Sequence, residues 1–447
     1  MEPRSRNFIY LLVGAACAGV YLELRRHHEA GTLGGPLPSA SAAGVAPGAS
    51  GDEAAPGASA RLVGLPGQEG DGGPGAAPGA SGAMPNPPPT RVQAETTLRA
   101  LRDAVRSDLS GPESPWALSH GLIALSSESP AGEHAHTSQA WQRALARIGA
   151  KLQRDGARWS FPRGTEVSPG EPHPHSVLAT LLDVGVPKDT RLRTPSGEVS
   201  LADWLDASLA NARPPEKEAE WIDSPWLIAL TLHAEGPKAE ALRAALRAGA
   251  LRHLTEATQA IADYQGPPER AFEIGGALHR AKQDKRGIFG HHCGGLHFTE
   301  AVLRLYAGDV SARPALHAAL DLLMRRVQYE RSLYDALARS LAVSPDAGLL
   351  IAVQRLKFYG HSAEVLGRAR RLELAAPATS RELSTRLDAT QALLVSELVR
   401  LMPELERVGY ARADALRRER PQTYLDLMGD GAHAARGLER WLTAQPE

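Results

Sequence analysis

The chain is 447 residues long with a formal net charge of -1, a balance that supplies no long-range field and excludes nucleic acid as a partner. Ala, Leu, Arg and Glu are abundant in its larger part while Val, Ile and aromatics are sparse, a mixture that favours helix over sheet. Its two cysteines, Cys17 and Cys293, fall in different parts of the chain, which excludes a disulfide framework within the folded part.

Residues 8–22 form an apolar run, with Arg4 and Arg6 before it and Arg25 and Arg26 after it. A helix through this run sits at the short edge of the roughly 17–20 residues that cross a bilayer. Three readings stay open for residues 1–30: an uncleaved membrane anchor, a cleaved signal segment, and lipid modification at Cys17, which follows Gly14, Ala15 and Ala16. The first is preferred because no clear small-x-small site ends the run. All three make the membrane a partner and place the bulk of the chain beyond the cytoplasmic membrane, in a bacterial cell envelope. Basic residues on both flanks leave the positive-inside rule undecided. Residues 31–90 are built almost wholly from Ala, Gly, Pro and Ser, which cannot offset the backbone entropy lost on folding, and read as a disordered spacer. The folded part is then 91–447.

In that part apolar residues recur at helical spacing, separated by short Gly, Pro, Ser and Asp clusters, and no run alternates with period two. Ser114-Pro115-Trp116 and Ser224-Pro225-Trp226 each open a short apolar helix, with Ser as N-cap and Pro at the first helical position. Similar short helices follow His173-Pro174-His175, the stretch from His291, and Tyr359-Gly360-His361. Between them run long helices with one apolar stripe, over 239–264, 312–341 and 381–405. Short buried helices alternating with long amphipathic ones describe an open solenoid or a closed two-layered ring, and the near absence of charge on the short set favours the ring.

The alternation over residues 116–369 resembles the α/α-toroid group, to which terpenoid cyclases, the β subunit of protein prenyltransferases, lanthionine cyclases and many polysaccharide-degrading enzymes belong. The expected fold is therefore all-α, with hairpins closing on a central pocket. Prenyltransferase β subunits bind zinc through an Asp and a Cys close together plus a later His. Here Cys293 and His361 match the Cys and His, while His291 stands where the Asp would be. Lanthionine cyclases carry Cys-His-Gly, and this chain has His292-Cys293-Gly294 in reversed order.

Candidate site residues follow from the short helices. His120, His175, His291 with His292, and His361 lie at or near their starts, so a closed ring would turn them toward one mouth. The positive potential of helix N-termini favours the neutral imidazole that accepts a proton or binds a metal. In the stretch 290–298, Gly294 and Gly295 admit close backbone approach, and the four-residue spacing of Cys293 and His297 puts both on one helix face. Thiolate with imidazole suits zinc, with His361 or His175 as third ligand and water as fourth. A thiol nucleophile with His292 or His297 as its base is the rival reading, beside a purely structural one. Trp116 and Trp226 are candidates for a ligand platform or for packing. Asp223 and Glu300, with His120, are the candidate acids and bases. Substrate class stays open between a small molecule and an envelope protein, the latter if the domain is a non-catalytic scaffold.

Overall fold

A computed structural model describes residues 88–108, 114–126, 138–162, 171–340, 345–372 and 381–445. The apolar N-terminal run, Cys17 and nearly all of the spacer lie outside the described residues. Among the described residues no helix is long and apolar enough to cross a membrane.

The described chain is predominantly helical. In order it forms α1 (Arg91–Asp108), α2 (Pro115–Leu125), α3 (Gln139–Lys151), strands β1 (Gln153–Asp155) and β2 (Arg158–Ser160), α4 (Ser176–Asp183), strands β3 (Arg191–Thr194) and β4 (Gly197–Ser200), and α5 (Leu201–Ala210). Then come α6 (Ser224–His233), α7 (Pro237–Ala262), α8 (Ala271–Gln283), α9 (Leu296–Leu305), α10 (Arg313–Ser340), α11 (Pro345–Arg371), α12 (Arg381–Val408), α13 (Ala413–Glu419) and α14 (Pro421–Ala444). Short 3-10 turns link several of these, including Glu218–Asp223 and His292–Gly295. The long helices expected from the striped segments are α7, α10 and α12.

The structure corrects the sequence reading at several points, one being that Tyr359-Gly360-His361 lies inside the long helix α11 and opens no short helix. The strands form two antiparallel hairpins, Gln153 pairing with Ser160 and Arg191 with Ser200, turned at Gly156 and Gly197, whose φ of 59° and 114° suit glycine. Strands of three and four residues are too short to display an alternation, and only Leu192, Val199 and Ser200 of them are buried. The Ser-Pro-Trp echoes also differ. Ser114 caps α2, accepting from the Ala117 amide, whereas Ser224 already belongs to α6 and its Oγ donates to the Trp221 carbonyl at 2.7 Å.

The short apolar helices are buried on all sides: α2, α4 and α6 have nearly every residue enclosed. α2 packs on α4, α4 on α6 and α6 on α9; α9 packs on α11, α11 on α14, and α14 on α2. Outside them, α7 packs on α6, α9 and α10, while α12 packs on α10, α11, α14 and α1.

Two interactions hold these helices in place. At the last turns of α4, α6 and α9, Arg304 grips Asp183 with two bonds of 2.6 Å, and His233 Nε2 lies 2.6 Å from the same carboxylate. Tying three neighbouring helices by their C-terminal ends makes them run parallel, so their first turns share the opposite end. The second is close packing of α11 on α14. A Cβ on Gly360 would lie 2.9 Å from the Ala434 nitrogen, one on Gly437 2.8 Å from Ala363 Cβ, and one on Gly367 2.7 Å from Arg440 Cβ. The glycines let the two backbones touch.

Gly437→Ala should therefore destabilise the fold by about 1–3 kcal/mol through overpacking, while Gly348→Ala on α11, with nothing nearer than 3.9 Å, should stabilise by about 0.5–1 kcal/mol through helix propensity. Urea denaturation of the two variants reads the contrast; equal effects would contradict it. Burial alone would raise the Asp183 carboxyl, but Arg304 and His233 more than reverse this and hold it well below the usual range. A depressed folded-state pKa means the stabilisation is complete above the unfolded value of about 4 and is lost as pH falls toward the folded one. Asp183→Asn should cost about 2–3 kcal/mol near neutral pH, and its denaturation midpoint should fall less steeply on acidification than that of the parent.

Candidate metal centre

The loop before α9 is built around an unusual backbone. Cys293, Gly294 and Gly295 have φ of 51°, 62° and 83°, so successive residues are left-handed, a conformation that costs a non-glycine residue about 1 kcal/mol or more. The two glycines are sterically required. A Cβ on Gly294 would meet Arg326 Nη2 at 2.6 Å, and one on Gly295 would meet Ile288 at 2.2 Å. Buried Arg326 fastens the loop: Nη1 donates to the Gly294 carbonyl at 2.6 Å, Nε is 2.5 Å from Glu330, and the rings of Phe289 and Phe358 flank the guanidinium at 4.7 and 4.9 Å. Cys293 therefore does not stand on the helix with His297, as its spacing suggested. α9 starts at Leu296, and the left-handed turn, not helical periodicity, brings sulfur and imidazole together.

One nitrogen each from His297 and His361 and the Cys293 sulfur all lie within 4.8 Å of one another. His361 comes from the middle of α11 and is 2 % exposed. Its Nε2 is 3.3 Å from Asp430 Oδ1 on α14. Beside it, His433 Nδ1 lies 2.6 Å from Glu364 Oε2, and Arg436 Nη1 donates to Glu364 Oε1 at 3.2 Å. The His433 ring is 4.0 Å from that of His361 and 5.1 Å from that of His297. His361, Glu364 and His433 form a further group with donor atoms within 4.8 Å. These His, Cys and Glu groups can hold a metal ion.

The electrostatics divide the histidines. Burial would lower His361, but the neighbouring Cys293 and Asp430 charges and hydrogen bonds raise it above the usual imidazole range. Burial would raise the Cys293 thiol, yet His361, His297 and Lys357 bring it well below its ordinary value. The two opposite shifts favour thiolate and imidazolium side by side. Burial, reinforced chiefly by His361, holds the His433 pKa well below the usual imidazole value and favours its neutral form. Its Nδ1–H donates to Glu364, so Nε2 carries a lone pair, buried and without a partner among the described residues. His120 is also neutral, its pKa lowered to about 3 chiefly by burial, with Nδ1–H donating to the Trp116 carbonyl at 2.8 Å and its ring 5.2 Å from His433.

Trp226 stands between this centre and a more exposed set. Its ring is 5.6 Å from His297, and on it His173 stacks at 4.4 Å and 8°. His292 lies 3.8 Å from the His173 ring, and its Nε2 is 3.0 Å from Asp223 Oδ1.

Of the residues singled out from the sequence, His120, Cys293, His297 and His361 come together, with Trp226, His292 and Asp223 alongside. His175 does not join them. It is the left-handed N-cap of α4, φ 67°, near Arg158 and Asp223, and the turn through Pro174 presents His173 to Trp226 in its stead. Glu300 is not free for acid–base work: Arg368 and Arg440 donate to it at 3.1 and 3.0 Å. Trp116 lies against His120 at 4.0 Å and fills the space over Gly429, where a Cβ would be 2.5 Å from its ring, which is packing. Neighbouring His291 turns away and pairs with His253 at 3.0 Å. Sequence reasoning missed His173, Glu364, Asp430 and His433. A signal existed for the last two, since Asp426, Asp430, His433 and Arg440 recur on one face of α14, a helix buried from Leu427 to Leu442.

Comparison with protein-family models, with curated proteins and with solved structures returns no match.

Proposed function

We propose that this chain is a metal-dependent enzyme of the cell envelope, held by its N-terminal apolar run, with an α/α-toroid domain whose central pocket holds zinc on Cys293, His297 and His361. The carrying observation is the meeting of those three donors, from a loop, the start of α9 and the middle of α11, within 4.8 Å. The ring reading is supported by the order of helix neighbours, which passes from α2 through α4, α6, α9, α11 and α14 and returns to α2.

The donor set fits the ion. Bonds of about 2.0 Å to nitrogen and about 2.3 Å to sulfur imply ligand separations of roughly 3.3–3.7 Å, inside the 4.8 Å that bounds the three donors. Asp430, accepting from His361 Nε2, leaves Nδ1 for the metal and fixes the tautomer. Three protein ligands leave a fourth position, where bound zinc would lower the pKa of water or polarise a carbonyl. His433, neutral and with an unpaired Nε2, is the group to take or return a proton there, oriented by Glu364. His120 and Trp226 line the approach to a small-molecule substrate.

A second reading rests on Asp430, which orients His361 as the third member of a Cys293–His361–Asp430 nucleophilic relay does. Metal analysis of the purified full chain separates the two. The zinc reading expects a stoichiometric transition metal that Cys293→Ser and His361→Ala abolish, with affinity 10- to 100-fold weaker in Asp430→Asn. A metal-free protein whose Cys293 is rapidly alkylated by iodoacetamide, and slowly in His361→Ala, would sink zinc and favour the relay. Absence of both would leave only a non-catalytic scaffold.

A further inference from the structure

We infer that His173, Asp223 and His292 form a second site, for a divalent first-row transition ion, beside the Cys293 centre. The three residues come from separate elements: the turn before α4, the 3-10 segment ending at Asp223, and the loop before α9. Their donor atoms lie within 4.8 Å of one another, and two imidazoles with one carboxylate suit zinc, iron(II) or cobalt(II), with coordination positions left for solvent or substrate.

The arrangement is rigid before any ion arrives. Pro172 and Pro174 fix φ on either side of His173 and restrict the residue between them to extended backbone. Trp226 then sets the plane of the His173 ring by stacking. An independent sign of a missing partner is the Nδ1 of His173, a buried nitrogen without a hydrogen bond among the described residues. A capping or packing histidine has no reason to leave that atom unsatisfied, whereas an incoming cation supplies the missing contact.

The two sites differ in kind. The Cys293 centre contains sulfur and has one fully buried ligand, His361, beside partly buried Cys293 and His297, while the side chains of Asp223 and His292 are 50 % and 28 % exposed and the set contains only nitrogen and oxygen. The outer ion should bind more weakly and exchange faster. Since His292 and Cys293 are consecutive, the loop before α9 supplies a ligand to each, and Trp226 stands between the two.

The test is cobalt(II) titration of the full chain after chelator treatment, followed by absorbance and by metal content. The expected result is two equivalents: one giving a thiolate-to-cobalt band, the other only d–d absorbance. Asp223→Asn and His173→Gln should remove the second equivalent, or weaken it at least tenfold, and leave the thiolate band unchanged. Circular dichroism of Asp223→Asn, a change at a half-exposed side chain, controls for folding. Binding of a single equivalent with the thiolate band, insensitive to both variants, overturns the second site and spares the zinc reading. A single equivalent without that band, lost in Asp223→Asn, does the reverse.

Discussion

The contact between α11 and α14 is the constraint on which the centre depends. His361 and Glu364 stand on one helix and Asp430 and His433 on the other, and their hydrogen bonds span only the distance that Gly360, Gly367 and Gly437 permit. Helices carrying ordinary side chains at a crossing sit about 8–10 Å apart. Polar groups on helices so spaced meet at the tips of long side chains; here an imidazole and a short aspartate suffice, and short side chains lose little rotamer freedom when fixed.

Burying so much charge is tolerable only because it is matched. Arg440 is wholly enclosed and donates to Glu300 Oε1 and to the Glu364 carbonyl, while Glu364 also receives Arg436 and His433. Such networks seldom add stability over an apolar core of equal volume, and loss of one member leaves another charge stranded. What they do is select one packing, because a helix rotated by one residue would leave these carboxylates and guanidiniums unpaired. The same matching sets the state of the centre: Cys293 and Asp430 beside His361 favour its cation, and burial against a backbone carbonyl, with no carboxylate partner, lowers His120.

Much of the helical architecture was legible in the residues, because burial on all sides and burial along a stripe leave different patterns. Boundaries of α7, α10 and α12 fall within a few residues of the striped segments. What could not be read was anything decided by backbone contact between distant segments. Cys293 and His297 were grouped correctly for the wrong reason, since the spacing suggested a helix and the glycines supply a turn. His175 was preferred to His173 because it lies nearer the helix, whereas a left-handed cap swings the following side chain away from its predecessor. α14 escaped notice because the Gly and Ala between its polar residues look like a poor core, and only against α11 does their smallness acquire a use.

The left-handed setting of Cys293 carries an implication for how the position is maintained. Its backbone would be most comfortable with the residue found at its two successors, and its side chain answers to a different demand. Where the two disagree the fold bears the difference: a thiol at this point costs about 1 kcal/mol of backbone preference that a bare glycine would not.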